Sequence, residues 1–464
     1  NRGGLVKHVP ASGLMAFLAL AGLGPVAGHA EQPPERRATQ VSPPRDERVA
    51  ALQAELDRLR AEMGVLREEL QRLRSEAPKS EDQGWAPRIA AIEARQAKVE
   101  AELAKVSEDL KQIGDALDQV SEGDRKRPTM TVYGTLQATK YKERSSILDA
   151  EAFEMVLSGR PHPRLSFFAE IEFERAASVG GPRGGEIVLE QAYVSYTFAQ
   201  FFSLRTGVLL VPFGNVNVDH FAPLRDVVRK PLVSYAIAPS DWTDNGIQIT
   251  GRRLLGTSWL VEYEASLIAG LDADITSVGT RLARQPFGVD NNNNKAGVGR
   301  FAIKRGSSFE TGISGYTGKY DDKNERRLEG WAADLRIEIG PVRLTGEYDH
   351  FTADRGPLEK SHLRGYYARL SYDIRGGFLR ALAKDFDDPR LTLVAQYDWS
   401  AIDAPNPTTA AFERNRETGV TVGLAYRPSR QWVLKIDHET NKATNLPLDR
   451  GDLNGWLASV GFVF

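Results

Sequence analysis

The sequence contains no cysteine, so no disulfide can staple the fold and a large hydrogen-bonded framework has to hold it. The same absence rules out a lipid-modified N-terminal cysteine, and with it anchoring by lipoprotein chemistry. An excess of charge of one sign is also missing. The chain has 60 basic and 62 acidic residues, which gives a nucleic-acid partner no support. No run of 18 apolar residues occurs, so no segment reads as a membrane-spanning helix. There is no Gly-x-Ser-x-Gly elbow, and the seven His are scattered without a pair at metal-ligand spacing backed by a third ligand. No catalytic centre, metal or cofactor is therefore expected. With 464 residues, the chain has room for two or three domains.

Residues 1–30 have the composition of a secretory signal peptide: Arg2 and Lys7, an apolar run from Ala11 to Leu23, then Gly28-His29-Ala30. Residues 31–45 are Pro-rich and polar, and read as an extended linker. Apolar residues then recur in steps of three and four: Val49, Leu52, Leu56, Leu59, Met63, Leu66, Leu70 and Leu73. Pro78, Gly84 and Pro87 break the pattern, which resumes from Ile89 to Val120. A helix with so narrow an apolar stripe buries it only against a copy of itself or a partner helix. Residues 46–123 therefore read as a two-part coiled coil. Ile89 and Ile92 at core positions favour more than two strands, and Gln96 is the polar core residue that would fix register. A parallel homotrimer is expected, with an intramolecular helical hairpin as the alternative. Gly114 and Gly123, followed by Arg125-Lys126-Arg127-Pro128, should end the helix.

From Met130 onward the period changes to two. Strands are expected near 130–141, 149–159, 163–175, 185–198, 201–211, 245–253, 257–269 and 295–304. Eight more fall near 307–318, 328–340, 341–352, 361–375, 389–400, 416–427, 430–441 and 453–464. Most exceed the five or six residues usual in soluble sheets and match the roughly 9–11 needed to cross a bilayer at a tilt. Connections alternate between short turns and long polar loops. One face of each strand is apolar, as in Trp331, Ala333, Leu335, Ile337 and Ile339 against Asp334, Arg336 and Glu338. The fold class expected for 130–464 is an all-β transmembrane barrel of about sixteen antiparallel strands, with a coiled-coil stalk before it. A soluble β-sandwich is the alternative, with shorter strands.

The last strand carries Trp456, Ala458, Val460, Phe462 and Phe464 on one face. This resembles the closing strand of a bacterial outer-membrane barrel, whose terminal Phe is part of the signal read by the barrel-assembly machinery. That resemblance makes Val460, Phe462 and Phe464 the candidate assembly signal. The longest loop runs from Pro212 to Asn245 and holds Asp219, His220, Arg225, Asp226, Arg229, Lys230, Asp241 and Asp244. Its position resembles the constriction loop of diffusion porins. The segments G-V-L-L-V-P-F-G at 207–214 and N-G-I-Q-I-T-G at 245–251 are similar to those flanking that loop in the phosphate-selective porin O/P family. The resemblance implies an aqueous channel narrowed by the loop. It covers the barrel and not the stalk.

Inward-facing candidates are Glu170, Glu172, Glu262, Glu264, Asp334, Arg336, Arg343, Glu347, Asp349 and Arg369. Their acidic excess suggests a weakly selective pore leaning towards cations. Asp272, Asp274 and Asp290 read as a flexible loop in preference to a Ca²⁺ cage. The Asp-His pairs at 219–220, 349–350 and 437–438 cannot cooperate as neighbours where they lie on strands, because adjacent residues there face opposite ways. The expected function is a homotrimeric outer-membrane porin that passes small hydrophilic solutes or ions. Its belt would be wetted by lipid and its stalk would reach into the periplasm towards the cell wall or a periplasmic partner. The alternative is a structural anchor whose coiled coil spaces the membrane from the wall. A trimeric adhesin fits less well, since such chains contribute few strands each.

Overall fold

A computed structural model describes residues 45–76, 85–175, 185–218, 220–239, 241–256, 258–384, 386, 388–444 and 453–464. The expected signal peptide, 1–30, and nearly all of the linker lie outside these residues. The chain divides into two compact units between Asp118 and Gln119.

The first unit is built on helices α1 (Arg45–Glu76) and α2 (Trp85–Lys126). They pack on each other within one chain. Leu59, Met63 and Leu66 meet Val99 and Val106, and half-buried Leu56, Ile92 and Leu103 flank them. Arg74 donates to Glu93 at 2.8 Å and Arg95 to Glu62 at 2.7 Å across the same seam. This packing of one helix on the other within a chain is the hairpin alternative. Gln96 donates to Glu100 one turn along its own helix at 3.2 Å. Gly114 and Gly123 do not stop α2, which runs on to Lys126, two residues before Pro128.

The second unit is a closed barrel of sixteen antiparallel strands. In chain order they are β1 (Thr129–Tyr141), β2 (Ile147–His162), β3 (Leu165–Glu174), β4 (Glu186–Ala199), β5 (Phe202–Leu210), β6 (Thr243–Leu255), β7 (Trp259–Ile268) and β8 (Ala296–Arg305). Then follow β9 (Phe309–Lys319), β10 (Arg327–Ile339), β11 (Val342–Ala353), β12 (Ser361–Ile374), β13 (Arg390–Pro405), β14 (Phe412–Arg427), β15 (Trp432–Thr444) and β16 (Leu453–Val463). Each pairs with its neighbours in sequence, and β1 closes on β16 from Tyr133↔Val463 to Tyr141↔Gly455. Closure leaves no edge, so backbone donors and acceptors are satisfied strand to strand. Strand boundaries fall within a few residues of those read from the sequence. The largest differences are at β13 and β14, whose ladder continues through Ile402 and Asn415 and is braced by an Arg416–Asp403 ion pair at 2.7 Å. The one long turn on the short-turn side, between β12 and β13, contains a helix, α3 (Gly377–Leu382).

The two faces differ as the period-two pattern requires. Trp331, Leu335, Leu393, Tyr397, Val420, Val422 and Leu424 are exposed on the outside, while Asp334, Gln396 and Asp398 are buried within. An apolar belt this extensive has no counterpart on soluble monomers. Aromatic side chains border it at both ends. Trp331 packs on Tyr348 at 4.9 Å and Tyr366 on Trp399 at 5.6 Å near the long loops. Trp259 meets Phe309 and Trp432 meets Phe462 near the short turns. Two such girdles mark the membrane interfaces of an outer-membrane barrel. On β16, Trp456 and Phe464 are exposed outward and Val460 and Phe462 half-buried, with Ser459 and Gly461 turned in.

The chain has no native thiol, which makes the hairpin directly testable. The expected outcome for Glu62→Cys with Arg95→Cys is an oxidised product that stays at the one-chain position on a non-reducing gel. Cross-linked dimers or trimers would instead indicate helices paired between copies.

Candidate functional site: a loop held across the barrel lumen

The connection from β5 to β6, residues 211–242, folds into the barrel. It contains two short helices, α4 (Asn215–Val218) and α5 (Val233–Ala236), with a 3-10 turn at Ala222–Leu224 between them. Its neck is closed by Asn217, whose Nδ2 donates to the carbonyls of Val211 and Trp242 while its Oδ1 accepts the Trp242 N–H at 2.8 Å. Gly214, the last residue of the P-F-G segment, has φ +67°, and a Cβ there would lie 2.3 Å from the Glu347 carboxylate. That carboxylate accepts the N–H groups of Asn215 (2.5 Å) and Val216 (2.9 Å). The glycine is needed so that the wall can reach and cap the loop.

Further anchors run round the wall. Asp437 on β15 accepts the Val228 N–H at 2.6 Å, and Asp398 on β13 accepts that of Leu232 at 3.0 Å. Lys435 donates to the Ala222 carbonyl, and Arg427 to the carbonyls of Leu224 and Arg225. Asp226 pairs with Arg343 (2.5 Å) on β11 and Arg427 (3.0 Å) on β14, and accepts from Ser371 on β12. Burial would push the Asp226 carboxyl up, but Arg343, Arg427 and Arg369 outweigh it and hold it down at about 2. Arg229 pairs with Glu439 at 3.2 Å and donates to the Tyr141 hydroxyl, while Lys230 pairs with Asp241 inside the loop.

The expected loop residues are thus brought together, with two qualifications. Asp219 lies outside the described residues. Asp244 belongs to β6, where it accepts the Gly270 N–H at 2.7 Å and steadies the following loop. That second loop, 269–295, also turns inward, which the sequence reading missed. Ser277 bonds to Pro405 and Glu413, and Asn415 to Ser277, on the far side of the barrel from β7 and β8. Leu271, Ile275 and Ala283 join Phe213, Ile237 and Trp242 in an apolar cluster with inward residues of β8–β13, among them Tyr316, Leu328, Phe351 and Leu363. The inner wall is therefore apolar towards the long loops, not polar throughout. Within loop 269–295, Asp290 pairs with Lys295 at 2.7 Å, and Asn291 and Asn292 bond to residues of the neighbouring 319–322 stretch.

All ten lumen candidates lie on the inward face, but the acids among them are mostly engaged. Glu170, Asp334, Glu347 and Asp349 are buried. Asp334 pairs with Arg300 at 2.7 Å, and Glu262 with Lys304 at 2.8 Å. Glu264 faces Arg205, and Glu172 is half-buried opposite Glu154 of β2. Arg336 pairs with Glu338, and Arg369 donates to Gln396. Of the carboxylates that suggested a cation-leaning lumen, Glu347 holds the loop, Asp334, Glu262 and Glu264 sit against basic neighbours, and Asp349 is buried without a hydrogen bond among the described residues. A buried acidic-histidine group was also missed: His220 of the loop sits against Glu170 on β3 and Glu190 on β4. Burial alone would push its imidazole down, but the two carboxylates hold it up at about 10. The three residues are far apart in sequence, so no local spacing could have found them.

No protein-family model matches the chain. Among curated proteins it is similar to an uncharacterised protein of Aquifex aeolicus (strain VF5), 26% identical over 325 residues, covering 63% of this chain and 70% of that one. Among solved structures it is similar to OmpF of Salmonella typhi in complex with daunomycin, with a TM-score of 0.50, 12% identity, and coverage of 74% of this chain and 99% of that one. That likeness is one of fold. An anion-selective porin from Comamonas acidovorans (TM-score 0.48, 13% identity, 73% of this chain, 100% of that one) is similar too. So is the outer membrane channel DcaP of Acinetobacter baumannii (TM-score 0.44, 11% identity, 73% and 97%). The structural neighbours are outer-membrane porins and channels.

Removing the charge of Asp226 should release the loop. Breaking a buried ion pair from one side costs about 3–5 kcal/mol. Asp226→Asn is expected to lose amide hydrogen-exchange protection over residues 224–229 at neutral pH. Because the folded carboxyl titrates below its ordinary 3.8, its contribution is complete above that pH and is lost as pH falls through about 2. Wild-type protection, corrected for intrinsic exchange, should follow that course. A variant as protected as wild type would contradict the anchoring role.

Proposed function

We propose that the chain is a passive outer-membrane channel for small hydrophilic solutes, with a preference for anions. The observation that carries this is a cavity of about 290 Å³ between the loop and β10–β13, into which Arg225, Arg336, Arg343, Arg369 and Arg390 all project. The single carboxylate of its lining, Asp226, is already paired with two arginines. A second cavity of about 510 Å³, against β2–β8, is lined by Arg160, Arg205, Arg252, Arg300 and Lys304 against Glu262 and Glu264. Basic side chains lining a pore favour anions. Arg225 and Arg369 form no direct ion pair among the described residues, and both line this first cavity.

The rest of the reading follows the geometry of the strands. The short turns mark the periplasmic side, and α2 leads into β1 from that side, so the hairpin would stand in the periplasm. Its half-buried Leu56, Ile92 and Leu103 leave apolar surface for helices of other copies, which supports a homotrimer. The aromatic outer face of β16 has the pattern the barrel-assembly machinery reads. An anchor that only spaces the membrane from the wall would need no basic cavities in its lumen.

The test is the reversal potential of the purified chain in a planar bilayer across a KCl gradient. The expected chloride-to-potassium permeability ratio is above 1, falling severalfold in Arg225→Glu with Arg369→Glu. A ratio below 1 in the wild type contradicts the anion preference. A bilayer that stays silent favours the anchor.

A further inference from the structure

We propose that His220, Glu170 and Glu190 form a binding site for a divalent transition-metal cation of the zinc type, which ties the lumen loop to the wall at β3 and β4. His220 Nε2 lies 3.6 Å from Glu170 Oε2 and 3.4 Å from Glu190 Oε2, and the three donor atoms fall within 4.8 Å of one another. All three residues are buried, the His220 side chain at 4% exposure and Glu170 at 0%.

Neither ring nitrogen of His220 makes a hydrogen bond among the described residues, although both are shielded from solvent. An imidazolium held simply as a salt bridge would draw each carboxylate in to about 2.7–2.9 Å. The observed separations are longer. They match the spacing of ligands around a metal: bonds of about 2.0–2.1 Å put tetrahedral donor atoms about 3.3 Å apart. One imidazole with two carboxylates suits zinc and its neighbours, whereas calcium and magnesium call for oxygen ligands alone.

The surroundings hold these donors in place. Glu190 sits where the β3–β4 register slips, Glu170 pairing with Gln191 and Ile171 with Leu189. Such a bulge re-aims a side chain, and here it brings the extra carboxylate beside Glu170. The Tyr133 hydroxyl donates to Glu170 Oε1 at 2.7 Å and Gln191 to Oε2 at 2.6 Å, the kind of outer hydrogen bonding that orients metal-binding carboxylates. Phe221 stacks on the imidazole at 4.7 Å and is itself braced edge-on by Tyr133. Glu154 on β2, whose Oε2 is buried without a hydrogen bond, adds a further carboxylate on the same stretch of wall. The cluster thus has an excess of negative charge for a dication to neutralise.

The experiment uses the full chain in detergent, stripped with a chelator, dialysed, and titrated with Zn²⁺ alone while bound metal is counted. One zinc per chain is expected, and Ca²⁺ in tenfold excess should leave it in place. His220→Ala and Glu190→Gln should each weaken binding at least tenfold, and Tyr133→Phe by about 10–100-fold. The heat-dependent gel mobility of each variant reports whether the barrel has closed. If His220→Ala does not close, Glu190→Gln and Tyr133→Phe carry the test. The proposal is overturned if the wild type binds no zinc, if Ca²⁺ displaces it, or if the closed variants bind it as tightly as wild type. The last result would move the metal elsewhere, for instance to His350 and His362, whose rings lie 5.9 Å apart.

Discussion

Everything in the barrel follows from the requirement that backbone polar groups in hydrocarbon find partners inside the protein. The β1–β16 pairing meets it by joining Thr135 to Gly461 and Leu136 to Val460, so that the sheet has no edge. Closure separates two environments across one layer of strands. Each strand must then present apolar residues outward and may present charged ones inward, and sixteen strands enclose more space than wall side chains alone can fill. The chain fills part of that space with its own loops.

Filling a lumen with loop backbone creates a second accounting problem, because amides and carbonyls leave water there as well. The wall supplies the partners. Glu347, Asp398 and Asp437 take N–H groups of the 211–242 loop, while Lys435 and Arg427 serve its carbonyls. This explains why much of an inward face that reads as acidic is taken up in fixing the loop or pairing with basic neighbours. The carboxylates that can reach the loop are used in fixing it, and the arginines left beside it line the cavities. Fixing a loop and tuning a pore are thus done by the same set of side chains.

Much of this was legible in the sequence. Strand period, strand length and the alternation of short and long connections are local properties, and they located all sixteen strands because lipid tolerates few exceptions. The third loop stood out by length and charge. What could not be read was the pairing of residues brought together by closure. Nothing near Glu347 marks it as a cap for Asn215, and nothing near His220 points to Glu170 and Glu190. The apolar inner wall around Phe351 was equally hidden, because a second inward loop, 269–295, creates the demand for it. The heptads located the two helices but left their packing open, since the same stripe can be buried by a hairpin or by copies. Within this chain the two helices bury it on each other through Leu59, Met63, Leu66, Val99 and Val106, a pairing that helix propensity does not express.

The most direct measurement uses the absence of native cysteine. Single spin labels placed in turn along residues 418–424 of β14, in reconstituted vesicles, report access to oxygen dissolved in lipid and to a water-soluble paramagnetic reagent. A closed cylinder with lipid outside and water within predicts that the two accessibilities alternate out of phase with a period of two, oxygen highest at Val420, Val422 and Leu424. Uniform water access along the strand, or lipid access on both faces, would contradict it.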